Sequence, residues 1–146
     1  MSKGSRNILE LYDLNENYLV IEITESVMQD VEYANKIIKD LHDIGVRVAI
    51  DDFGTGYSSL SVLNNVFIDT VKIDKSFIDH VYSKKNTASL VKTIIQMSKS
   101  MNFNTVAEGI ESIEQSAFLK ENNCEYGQGY YYSRPITPEA RHEDRI

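Results

Sequence analysis

Residues 46–59 read VRVAIDDFGTGYSS. Val46, Val48 and Ile50, with Ala49, form a short apolar run rich in β-branched residues, with Gly45 before it and Gly54 and Gly56 after it. Such a run is the mark of a buried strand. It ends in two adjacent carboxylates, Asp51 and Asp52. Charge at a buried strand end is costly unless something pairs with it, and neighbouring carboxylates repel, so a cation is the simplest partner. The plain alternative is an acidic turn leading into a helix capped by Ser58 or Ser59. The choice depends on whether other strands end in the same way.

Working outward, Leu19–Ile23 (LVIEI) reads as a strand carrying Glu22, with Glu25 just beyond it. Ser26–Gly45 reads as one helix, with Val27, Val31, Ala34, Ile37, Ile38, Leu41 and Ile44 at helical spacing and Gly45 as its stop. Thr70–Ile73 (TVKI) is a third strand; it carries Lys72 and is followed by Asp74. Asn86–Met101 is a helix with Leu90, Val91, Ile94, Ile95, Met97 and Met101 facing in. Asn104–Ala107 is a fourth strand ending at Glu108. Glu111–Asn122 is a helix with Ile113, Ala117, Phe118 and Leu119 inward, and Tyr126–Tyr132 is a fifth short segment with Gln128 between two glycines. Short helical patterns occupy Asn7–Asn15 and Ser59–Asn65. The division expected is a polar, disordered lead-in at 1–6, one domain over 7–138, and a charged tail at 139–146, with Pro135 and Pro138 marking the end of regular structure.

Alternation of strand and helix implies an α/β fold of parallel strands joined by right-handed crossovers. The expectation is a partial TIM-like (β/α) barrel of about five strands, covered on both faces. The polar residues gather at the C-terminal strand ends: Glu22, Asp51, Asp52, Lys72, Glu108 and Gln128. Parallel α/β folds place their active sites at that edge.

A chain of 146 residues is long enough for one domain with a core. No apolar run approaches the length of a membrane span. A formal charge of −7 argues against a nucleic-acid polymer as partner, which requires a surplus of Lys and Arg. It suits metal-assisted binding of a small anion, because the ions invert the local sign. Cys124 is the only cysteine, so no internal disulfide forms, and a cytoplasmic location is expected.

The stretches IEITES, AIDDFGTGYSSL, VKIDKSFI, TVAEGIES and YGQGYYYSRP, in this order, resemble the EAL domain of cyclic di-GMP phosphodiesterases. The resemblance covers Ile8 to Pro138. It implies a TIM-like barrel, hydrolysis of cyclic di-GMP to pGpG and two Mg²⁺ or Mn²⁺ ions. It further implies that Glu22, Asp51, Asp52 and Glu108 serve the metals and that Lys72 holds the attacking water. Glu25 would steady the loop after the aspartates, with Asp74 and Glu111 as supporting groups and Gln128 near substrate. On the residues alone, two readings of Gln128 stand open, a hydrogen-bonded turn residue and a substrate contact. Glu111 alone reads as a favourable charge in the first turn of a helix. His42, His80 and His142 lack ligand spacing and read as surface residues. Tyr130, Tyr131 and Tyr132 read as packing residues rather than a base-stacking platform.

The Glu-Ala-Leu stretch that names the family does not occur in this chain, nor does the Asn-containing strand that precedes IEITES in the family. The chain is therefore expected to be the C-terminal portion of such a domain, poorly active alone. The alternative is a degenerate module that binds cyclic di-GMP or regulates without catalysis. Open sheet edges, together with the Phe53–Leu60 loop that the resemblance implies shapes a dimer contact, lead to an expected homodimer or larger assembly.

Overall fold

Parallel pairing between sequence neighbours builds the whole sheet. A computed structural model of the chain describes residues 15–56 and 63–137. The lead-in at 1–6, most of the Asn7–Asn15 pattern, Ser58 and Ser59, the first four residues of the Ser59–Asn65 segment, Pro138, His142 and the tail lie outside the described residues. The strands are β1 (Val20–Thr24), β2 (Arg47–Phe53), β3 (Thr70–Ile73), β4 (Asn104–Ala107) and β5 (Tyr126–Gly127). They lie in the order β1-β2-β3-β4-β5, every pair parallel. The helices are α1 (Val31–His42), α2 (Lys75–Ile78), α3 (Lys85–Ser100) and α4 (Ile113–Glu121). The expected α/β architecture of five parallel strands, a partial barrel, is thus present.

Register decides which side chains share a face, because paired residues point the same way and alternate along each strand. Ile23 pairs with Ile50, Ile50 with Val71, and Val71 with Thr105. That face is buried under the helices, with Val48, Ile50, Val71, Ile73, Thr105 and Ala107 all inaccessible. Val91, Ile94 and Ile95 of α3 and Ala34, Ile38 and Leu41 of α1 complete this core. The opposite face carries Glu22, Asp51, Thr70, Lys72, Val106 and, two residues on, Glu108. This face is only partly covered: Val20, Glu22 and Thr24 are exposed and Thr70, Asn104 and Val106 half-buried. The expectation of two covered faces is corrected here, because the strands that would close a barrel over this side are not among the described residues.

The expected helix Ser26–Gly45 is two pieces. A 3-10 helix spans Glu25–Gln29, and Asp30 then turns extended and caps α1, its side chain accepting from Tyr33 N at 3.0 Å. A short polar side chain competing for the backbone N–H is the reason for the break. Gly45 ends the segment at φ 79°, as a left-handed stop requires. Helix α2 was not anticipated. Asp74 starts it by accepting from Ser76 N at 3.0 Å. Leu90 is 43% exposed and Ile113 61% exposed, and Ala117 is exposed too, against the inward positions expected for all three. In α4 the buried positions are Ser116, Phe118 and Leu119, with Ser116 Oγ drawn inward by the Tyr132 hydroxyl at 3.0 Å. No helix among the described residues is long and apolar enough to cross a membrane.

Candidate functional site

The C-terminal strand ends converge on Lys72. Its ammonium lies 2.7 Å from Glu22 Oε1, 2.8 Å from Asp51 Oδ1 and 2.9 Å from Glu108 Oε1. Three strands flanking or near β3 each contribute one carboxylate, and alternation puts all four side chains on the half-open face. Lys72 itself is buried, at 7% exposure. Burial opposes its charge, but the three carboxylates more than offset that and hold its pKa above the ordinary lysine value.

Asp52 should point the other way, since it follows Asp51 in the same strand. It does not, because β2 is irregular there. The register runs Ile50 to Val71 and then Phe53 to Ile73, so one extra residue is accommodated at Asp51–Asp52. Asp52 takes φ 51°, a left-handed conformation that Asp tolerates better than most residues. One oxygen each from Asp51, Asp52 and Glu108 thereby comes within 4.8 Å of the others. The crowding shows in the Asp52 carboxyl, whose pKa is pushed up by lost hydration, then by the charges of Asp51 and Asp74, with Lys72 opposing. Oδ1 of Asp51 is buried against the Lys72 ammonium at 2.8 Å. Three hard oxygen donors this close together, with one lysine charge among them, are the donor set that Mg²⁺ or Mn²⁺ prefers.

Around this centre, Glu25 is buried at 8% exposure and accepts from Gly56 N at 2.9 Å. It thus ties the start of β1's following turn to the glycine loop after the aspartates. A Cβ on Gly56 would stand 2.8 Å from Glu25 Oε2, so the close approach needs glycine. Asp74 faces Asp52 while capping α2. Glu111 lies before the Ser112 cap of α4, not in its first turn, and pairs with Lys75. Lys75 was missed in the sequence; its only signal was the position immediately after Asp74. Gln128 is exposed, and its backbone donates to Ala107 O at 2.8 Å and accepts from Ile110 N at 3.1 Å. His42 and His80 are both exposed, as expected, His42 with Nε2 2.8 Å from Asp69 Oδ2 and His80 beside Ser83. Tyr131 and Tyr132 meet edge to face, but all three tyrosines are exposed, Tyr130 at 55% and Tyr132 at 51%, rather than packed into the core.

The sequence matches the family model described as EAL domain over residues 4–135. It is 39% identical over 135 residues to the signaling protein YkoW of Bacillus subtilis, covering 92% of this chain and 17% of that protein. It is 39% identical over 139 residues to the cyclic di-GMP phosphodiesterase NbdA of Pseudomonas aeruginosa, covering 94% of this chain and 18% of that protein. The chain therefore spans under a fifth of the length of these two relatives. Among solved structures, the PaMucR phosphodiesterase in complex with c-di-GMP superposes with a TM-score of 0.89 at 36% identity, over 93% of this chain and 56% of that one. The EAL domain of Mycobacterium smegmatis DcpA gives 0.88 at 36%, over 97% and 64%. On sequence and on fold alike, the chain belongs to the EAL domain family.

Proposed function

We propose that this chain supplies the lysine-and-carboxylate half of a cyclic di-GMP phosphodiesterase site, which hydrolyses one phosphodiester to give linear pGpG. The observation that carries the reading is the buried Lys72 ammonium held by Glu22, Asp51 and Glu108 beside the Asp51–Asp52–Glu108 oxygen cluster. Asp51, Asp52, Glu108 and Glu22 would hold two divalent ions. Such ions supply a Lewis acid to the phosphodiester.

The chain's own residues do the rest. Lys72, held by Glu22, Asp51 and Glu108, is a cationic donor placed to orient water and offset phosphate charge. Glu25 holds the Gly54–Gly56 loop over the aspartates. Asp74 and Glu111 anchor the segments after β3 and β4. Gln128 contacts substrate from the exposed end of β5.

A second reading, a cyclic di-GMP-binding or regulatory module without catalysis, is favoured by one observation. The half-open lumen face leaves Glu22 exposed to water. The test is pGpG formation followed by chromatography with Mn²⁺ or Mg²⁺. The chain alone is expected to turn over far below the usual range of about 1–1,000 per second. An Asp51→Asn, Asp52→Asn variant is expected to lose both residual turnover and Mn²⁺ binding by titration. An unchanged Mn²⁺ isotherm would remove this centre.

A further inference from the structure

We infer that Tyr130 and Arg134 form a purine-recognition element at the lip of this site, selective for guanine; the inference rests on the cyclic di-GMP reading above. The Arg134 guanidinium carbon stands 5.1 Å from the centroid of the exposed Tyr130 ring. Both lie on the segment that leaves the C-terminal end of β5, the edge at which Lys72 and its carboxylates converge.

The segment is fixed there by backbone contacts. Ile110 N donates to Gln128 O at 3.1 Å, and Tyr131 N donates to Ile110 O at 2.9 Å. Gly129 packs so tightly that a Cβ would strike the Ile110 backbone. Ile110 is two residues beyond Glu108, and the next residue, Glu111, pairs with Lys75. Tyr130 is thus presented on the side of Lys75, whose ammonium pairs with Glu111, rather than folded into the core.

Charge favours the same assignment. Glu22, Asp51, Asp52, Asp74, Glu108 and Glu111 make this rim acidic. Lys72 and Lys75 are committed to those carboxylates. Among the described residues, no carboxylate lies within ion-pair range of Arg134. Its planar fork matches the O6 and N7 acceptors of guanine, whereas adenine replaces one acceptor with an amino donor. The Tyr130 ring adds a stacking face that any base can use. Tyr131 and Tyr132, also exposed, stack edge to face on each other, and the cation contact falls on Tyr130.

The measurement is calorimetric titration of the full chain in Ca²⁺ buffer with cyclic di-GMP and, separately, cyclic di-AMP. Arg134→Gln is expected to weaken cyclic di-GMP binding roughly tenfold and to leave cyclic di-AMP almost unchanged, erasing the preference. Tyr130→Leu is expected to weaken both ligands alike, by roughly tenfold. Ca²⁺ binding without nucleotide is expected to stay at the wild-type level in both variants. Wild-type affinities in both variants, or equal losses for the two ligands in Arg134→Gln, would reduce the pair to a surface contact that merely braces the segment. A wild-type chain that binds Ca²⁺ but neither nucleotide would instead overturn the functional reading, and the inference with it.

Discussion

Lys72 is an ammonium standing where a divalent ion would do the same electrostatic task. Both relieve repulsion among Glu22, Asp51 and Glu108. Lys72→Met leaves three clustered, partly solvated carboxylates without their cation, which is destabilising. The variant is expected to melt below wild type in chelator and to gain more Tm than wild type on adding Mn²⁺. Equal Mn²⁺-induced shifts would mean that lysine and metal do not share these oxygens. Cys124 offers a second check at this scale. Burial pushes its thiol up to about 11 from 9.0, with the Tyr126 carbonyl, accepting from Sγ at 3.3 Å, as a partner. At pH 8 the thiolate share is then about 1 in 1,000 rather than about 1 in 10, and alkylation by iodoacetamide should run about a hundredfold slower than for a free thiol. Unfolding releases that thiol to ionise from pH 9.0 upward while the fold keeps its proton to about 11. Its contribution to stability is therefore intact below pH 9 and lost as pH rises from there, which urea midpoints across this range would show.

At the scale of elements, the clearest device is the start of α4. Ser112 accepts from Gln115 N at 3.2 Å while Gln115 Oε1 accepts from Ser112 N at 3.0 Å, a capping box. Gln115 Nε2 also donates to Ile78 O at 3.3 Å, tying α4 to α2. Ser112→Ala should lower stability by about 1 kcal/mol, read as a reduced urea midpoint with an unchanged slope. The strand ends were legible because short β-branched runs stop at charged residues, and the family motifs fell on the same positions. Asp30 was not, because apolar spacing continues across it and hides the cap that divides the helix. Nor was the irregularity at Asp52: two adjacent carboxylates in a strand imply opposite faces, and only a left-handed residue brings them together. The inward face of α4 was misjudged at Ala117 because Ser116, three residues before Leu119, shares its buried face while Ala117 is turned away.

For the whole molecule, β1 and β5 end the sheet, and neither has a second strand partner among the described residues. Exposed strand edges and the uncovered face around Val20 favour pairing with another chain. Light scattering at micromolar concentration is expected to give a mass above the 16.7 kDa of one chain. A monodisperse monomer that unfolds cooperatively would show that the chain covers its own edges.

Strand order that follows chain order also has a consequence for genes. Because each strand pairs with its neighbour in the chain, a fission point near either end removes an edge strand and leaves the inner pairs encoded together. The partners of the ammonium then drop away in a set sequence. A start codon after Thr24 removes Glu22, and a stop codon after Ala107 removes Glu108, yet Asp51 and Lys72 still sit on adjacent strands. A break anywhere between Asp51 and Lys72 divides that last pair between two chains.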